Sequence, residues 1–270
     1  MHRGIYPDTA TSLTRGSLRF ATVVVIACLS VTTAAAEETS PQAILKAMAD
    51  YVSRQENLSL KYDADIEVVT PAVEKIQFSA SGDIIVSRPN KFRVSRTGGY
   101  ADVELISDGA TVTIFDRGGN RFAQVTSTET LDQVVDRLRT DASLELPGAD
   151  LLLSKPYDEL IAGVLEAKHI GRGVVEGVEC EHLAFRNLDT DWQIWVEVGD
   201  RPVPRKYVIT SKAVGGAPQY SLRLRDWKTG VSPASDAFAF KPPDGSSGVS
   251  ISLLKDIDEI PDGVVPGGTK

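Results

Sequence analysis

Cysteine and histidine are scarce, with two and three residues in the whole chain. Beyond residue 36 only His169, Cys180 and His182 remain. A metal site usually draws three or four ligands, and one cysteine cannot close an intrachain disulfide, so stability has to come from an apolar core. Catalytic signatures are missing as well. The sequence holds no Gly-x-Ser-x-Gly elbow, no His-Glu-x-x-His pair and no Gly-x-x-x-x-Gly-Lys loop. Gly171-Arg-Gly-Val-Val-Glu-Gly177 misses the dinucleotide fingerprint by one residue and has strand patterns on both sides. Basic charge is also short, 29 Lys and Arg against 37 Asp and Glu, with no basic stripe for nucleic acid phosphates to recognise. No apolar run reaches the ~20 residues that a membrane-spanning helix needs.

What is present first is an export signal. Arg15 and Arg19 precede an apolar run from Phe20 to Val31, and Ala34-Ala-Ala36 follows before Glu37-Glu38. Charged, apolar and small-residue regions in that order make a secretory signal peptide, with cleavage expected after Ala36. Val25-Ile-Ala-Cys28 offers an alternative, a bacterial lipobox in which Cys28 is acylated and becomes the new N-terminus. Removal of residues 1–36 takes away three arginines and one aspartate, which leaves 26 basic and 36 acidic residues and a net charge of about −10. The expected organisation is a signal peptide over 1–36, one domain over 37–245, and a Gly-, Ser- and Pro-rich extension over 246–270 that is mobile at its end.

The periodicity of the mature chain changes twice. Ser40 and Pro41 open a helix whose Ile44, Leu45, Met48, Tyr51 and Val52 recur at helical spacing. Leu58 to Val68 then alternates without a break, and Ile76 to Val86 does so again, with Gly82 placed to relieve a bend. Eleven residues at about 3.3 Å each give strands of roughly 35 Å, long enough to curve around something. Shorter strands follow around Phe92, Val103, Val112 and Phe122, separated by explicit turns. Leu131, Val134, Val135 and Leu138 mark a second helix, and an apolar stretch from Ala149 to Leu165 broken at Pro156 marks further helix. Strands return as a hairpin turning at Glu176-Gly177, a second hairpin through Trp192 to Thr210, a strand from Tyr220 to Trp227 and a last one at Phe238-Ala-Phe240. Strands first, helices in the middle and strands again describe an α+β chain that is mostly antiparallel β. About ten strands on one curved sheet give an unclosed β-barrel, lidded by the N-terminal helix and the helices inserted mid-chain.

Ser107-Asp-Gly-Ala-Thr-Val-Thr-Ile-Phe-Asp116, Gly177-Val-Glu-Cys-Glu-His-Leu-Ala-Phe-Arg186, the stretch from Asp191-Trp-Gln-Ile-Trp to Pro204-Arg-Lys-Tyr-Val-Ile209 and Phe238-Ala-Phe-Lys-Pro-Pro243 resemble an uncharacterised family of predicted periplasmic proteins. That family is similar in layout to the lipoprotein-localisation carriers LolA and LolB. The resemblance implies a LolA-like half-open barrel that accepts acyl chains; no residue matches a carrier's functional residue, so none is transferred.

The expected ligand wall is therefore the concave apolar face: Leu60, Tyr62, Ile66, Phe78, Ile84, Phe92, Val94, Leu105, Ile114, Trp192 and Ile194. The expected function is a periplasmic, non-enzymatic binder or carrier of a lipid, a lipoprotein acyl chain or another hydrophobic molecule, without cofactor or metal. Membrane contact is then transient, or through a lipid anchor if Cys28 is acylated. The alternative is an envelope protein-interaction or sensor module on the same scaffold. Cys180 and His182 share a strand face and so have nucleophile-and-base spacing. The ordinary reading is a buried cysteine beside a hydrogen-bonded histidine. Trp192 and Trp195, three apart on a strand, are expected on opposite faces, Trp192 inward and Trp195 outward.

Overall fold

The computed structural model describes residues 40–141 and 146–254. The expected signal peptide, its cleavage after Ala36, Cys28 and the end of the chain after Leu254 lie outside the described residues.

Helix α1 (Pro41–Ser53) begins where expected, with the Ser40 hydroxyl accepting the Ala43 N–H at 3.2 Å and Pro41 in the first turn. Strands β1 (Asn57–Val69) and β2 (Lys75–Ser87) each run 13 residues and pair along their full length, from Asn57 opposite Ser87 to Val69 opposite Lys75. Strands β3 (Lys91–Gly98), β4 (Asp102–Asp108), β5 (Thr111–Asp116) and β6 (Arg121–Thr126) continue the antiparallel meander. Helix α2 (Leu131–Asp141), a 3-10 turn at Ala149–Leu152 and helix α3 (Pro156–Ile161) interrupt it. A second meander follows: β7 (Glu166–Val175), β8 (Val178–Arg186), β9 (Thr190–Glu197), β10 (Pro204–Ser211) and β11 (Gln219–Thr229). Its last strand pairs antiparallel with β1, which joins the two meanders into one sheet. With the two-residue β12 (Ser247–Gly248) the sheet has twelve strands in the order β12-β6-β5-β4-β3-β2-β1-β11-β10-β9-β8-β7. The terminal strands β7 and β12 do not pair, so the barrel is unclosed.

Alternation in β1 and β2 sends one set of side chains to the concave side and the other to water. On the convex side Asp63 meets Arg225 and Asp65 meets Arg223, each at 2.9 Å, and Lys61 meets Asp83 at 2.6 Å. Such half-exposed pairs contribute at most about 1 kcal/mol each, so the sheet is held by its other face. There, Leu45, Met48 and Val52 of α1 and Val134 of α2 pack with strand residues such as Phe92 and Ile194, all at most 1% exposed.

Two expectations change. Phe238-Ala-Phe240 forms no strand; residues 235–238 form a turn. Pro233, Pro242 and Pro243 flank this stretch and cannot donate to a ladder. Phe240 instead packs on Phe115 and Phe122, ring centroids 5.5 and 5.2 Å apart, on the convex side of β5 and β6. The domain also runs past residue 245. Beyond the convex-side contact the chain pairs β12 parallel to β6, then returns Val249 and Leu254 to the main core. In sequence the apolar run over 249–254 is isolated within a Ser-, Gly- and Pro-rich stretch, and so reads as part of a tail.

Candidate ligand site on the concave face

All eleven residues expected on the ligand wall lie on the concave side. Cross-strand register sets Leu60 opposite Ile84, Ile84 opposite Val94, Val94 opposite Leu105 and Leu105 opposite Ile114, a continuous apolar row over five strands. Leu60, Tyr62, Phe92, Ile114, Trp192 and Ile194 are buried in the central cluster, and Ile84, Val94 and Leu105 are partly buried against it. Trp192 stacks on Phe185 with centroids 4.0 Å apart, and its indole N–H donates to the Asn187 side-chain oxygen at 3.2 Å. Ile66 and Phe78 pair with each other at the far end of β1 and β2. There Phe78 meets the edge of Tyr100 at 5.1 Å.

The wall is covered. Residues of α1, α2 and α3 join the apolar row in one buried cluster, and the cleft at its end, bounded by Ala64, Ile66, Phe78, Ala80, Arg96 and Tyr100, has a volume of about 10 Å³. That is room for about one water molecule, against several hundred Å³ for a typical small-molecule pocket.

Besides its apolar packing, the cover carries polar ties that were not legible in the sequence. The half-buried Arg88 guanidinium donates to the Gln55 carbonyl after α1 at 3.2 Å and to the Leu152 carbonyl of the 3-10 turn at 2.7 Å. Burial pulls its pKa below the ordinary arginine value, opposed by the charge of Asp132. Asp132 in turn accepts the Ser154 N–H at 3.1 Å. Arg139 of α2 pairs with Asp150 at 2.7 Å, and Asp150 faces the buried Tyr207, whose hydroxyl pKa rises through burial first and the Asp150 charge second. Gly148, at φ +87°, starts the 3-10 turn directly above Leu222, where a Cβ would come within 2.7 Å of a methyl group. Arginine and aspartate at turns and on a helix surface look like solvated charges until the partner carbonyls are known.

Cys180 and His182 share a strand face but not a bond. The thiol is fully buried, donates to the Val178 carbonyl at 3.5 Å and is pushed by burial up to about 11. The imidazole Nε2 meets the Gln193 side-chain oxygen at 2.9 Å, and the ring stacks on Trp195 at 4.0 Å. Lys206 covers the same indole, 4.9 Å from the ring centroid, so the outward Trp195 is half-buried between two neighbouring strands. Asp63 and Asp65 are the ion-paired convex residues described above. Among the described residues no three His, Cys, Asp or Glu side chains converge as a metal set, and no helix is long and apolar enough to cross a membrane.

Comparison with known proteins adds the following. No curated protein matches the sequence. Among solved structures the chain is similar to the Mycobacterium tuberculosis lipoprotein LppX, at 11% identity and TM-score 0.42 over 71% of this chain and 96% of that one. It is similar to MucB in the Pseudomonas aeruginosa MucA/MucB complex, at 14% identity and TM-score 0.41 over 74% of this chain and 61% of that one. It is also similar to a LolA superfamily protein from Nitrosomonas europaea, at 11% identity and TM-score 0.35 over 74% and 98%. Residues 41–252 match the model of one family, and the chain belongs to that family, the predicted periplasmic proteins DUF2092.

Proposed function

We propose that this protein is a non-enzymatic periplasmic binder or carrier of a hydrophobic molecule, a lipid or lipoprotein acyl chain, taken up on the concave face beneath the helical layer. One observation carries the reading. The apolar row from Leu60 to Ile114 lies in one buried cluster with residues of α1, α2 and α3, and polar contacts of Arg88, Asp132 and Arg139 tie the ends of these elements. Strand pairing does not lock this cover to the sheet, so it can lift while the sheet stays intact. Uncovering each large side chain costs about 1.5–3 kcal/mol, and an acyl chain laid on the same wall returns a comparable amount. With so little free volume, entry of a chain and displacement of the cover are one event. Export through cleavage after Ala36 delivers the domain to the compartment where such ligands are found.

A specific observation favours a second reading. The hollow is already close-packed, as in an interaction or sensor module that binds protein and takes no lipid. Native mass spectrometry of the protein purified gently from its own envelope separates the two. The carrier reading expects a lipid-sized added mass and uptake of a fluorescent fatty acid, with faster uptake in Arg88→Ala. An apo mass, no uptake by either protein and a cross-linked protein partner would select the second reading. Intact mass of the N-terminus distinguishes cleavage after Ala36 from acylation at Cys28.

A further inference from the structure

Among the described residues ten large apolar side chains are exposed, and four of them stand at one end of the sheet. The strand order fixes that end. β1 finishes there, and Ile66 pairs with Tyr220 near the start of β11, so the β1–β2, β3–β4, β8–β9 and β10–β11 turns and the link from α3 into β7 all share one rim. Val73, Tyr100, Leu165 and Leu188 are on this rim, at 75%, 55%, 69% and 78% exposure. Three are single apolar tips on short turns, and the fourth, Leu165, leads into β7.

Val73 carries a second signal. It sits at φ +64°, in the left-handed region where a β-branched residue is strained and where glycine or asparagine makes the same turn at lower cost. Its backbone N–H holds the turn through the Thr70 carbonyl at 2.8 Å, while its side chain stands 75% exposed. The charge on the rim is also unusual for this acidic chain. Residues 70–74, 99–101, 117–120, 162–165, 187–189 and 212–218 contain only Glu74, Arg117, Asp189 and Lys212 as charged residues, two of each sign. Arg117 pairs with Asp102 and Glu104, and Lys212 with Asp191. The opposite rim holds Arg54, Glu56, Glu176, Asp200 and Arg201 in its turns.

We propose that this rim docks on the surface of a lipid bilayer, with Val73, Tyr100, Leu165 and Leu188 entering the interface. A folded protein partner would need a continuous complementary surface, whereas here the apolar groups are separate tips with backbone and small residues between them. A fluid interface accepts isolated tips without shape matching, and tyrosine suits its polar boundary. The balanced charge makes the contact apolar in origin, so it is insensitive to salt. Tyr100 also borders the cleft at Ile66 and Phe78, so docking sets the open end of the concave face against the membrane. The inference does not require a cargo and goes beyond the carrier reading.

The test places an environment-sensitive dye on Leu188→Cys and, in a second protein, on Asp200→Cys at the opposite rim. The unsubstituted protein, carried through the same labelling, supplies the background. Vesicles of phosphatidylethanolamine with a minority of phosphatidylglycerol should blue-shift the dye at 188, in low and high salt alike, and leave the dye at 200 unchanged. An unmoved dye at 188, or equal shifts at both positions, overturns the proposal; so does a response only to a cross-linked protein. Val73→Asp, Leu165→Asp and Leu188→Asp together should cut vesicle affinity by at least tenfold while the unfolding midpoint does not fall, because all three side chains are exposed and aspartate tolerates the φ of Val73. Full retention of vesicle binding in that variant would count equally against it. Fatty-acid uptake measured without vesicles reports on the carrier reading alone, so either idea can fail by itself.

Discussion

Trp192 and Trp195 stand three residues apart in β9 and have opposite surroundings: one buried against Phe185 and Tyr207, the other stacked on His182 under Lys206. Period two predicts the split, but not the company. Burial lowers the His182 pKa; the Gln193 hydrogen bond opposes it, and the charges of Lys206 and His169 add to it. The folded value is therefore below the unfolded 6.5, and as pH falls the unfolded chain takes up this proton first. Stability should decline on acidification below that value, and His182→Gln should flatten the decline when urea unfolding is followed from neutral pH to about pH 5. Cys180 gives a kinetic counterpart. Its thiol, buried and raised to about 11, should react with iodoacetamide far more slowly in the native protein than in denaturant. Equal rates would show that the pocket around it opens freely. Gly82 tells the same story in packing. The sequence marks it as relief for a bend; in the structure a Cβ there would collide with the Ser95 carbonyl and with the Tyr62 ring, whose hydroxyl donates to that carbonyl. Gly82→Ala should cost about 1–3 kcal/mol in chemical unfolding.

At the scale of elements, what was legible followed the length of the pattern. β1 and β2 alternate over eleven residues, and no other structure fits that signal, so the concave face of both strands could be read from the sequence. The hairpin at Glu176-Gly177 was equally plain, and both residues take positive φ, +49° and +83°. The cover was harder. The 3-10 turn at Ala149–Leu152 and six-residue α3 are too short to show a period, and they exist because Leu151 and Leu160 have a core to enter. The residue that ties them, Arg88, lies between β2 and β3 in sequence and reaches Leu152 only in three dimensions. Removing it leaves two carbonyls without their donor, so Arg88→Ala should destabilise by about 1–3 kcal/mol. Hydrogen exchange should locate the effect, with faster exchange around 149–160 and 45–55 and unchanged protection in β1 and β2. Uniform loss of protection would mean that the cover and sheet open as one unit, and the lid would then be no lid.

The whole molecule is an open sheet, and an open sheet has to manage two edges. β7 does so with Lys168, Arg172 and an irregular register at Gly171. The other edge, β6, is covered at its start by the chain's own C-terminal segment. Arg93 donates to the Ala237 carbonyl at 3.2 Å, Phe240 covers Phe115 and Phe122, β12 pairs with β6, and Leu254 enters the core. A chain ending at Gly245 keeps Phe240 but loses β12, Val249 and Leu254. The β6 backbone then loses its outer partner at Arg121 and Phe122 as well, which extends the open edge that already carries the exposed Val125. Such a protein should unfold at lower temperature and self-associate in light scattering, while a chain ending at Leu254 should match the full-length domain in both. If the two truncations behave alike, the segment after 245 contributes nothing to the edge. A deficit confined to the shorter chain instead makes the strap a working part of the barrel, since it supplies the strand that the first meander lacks.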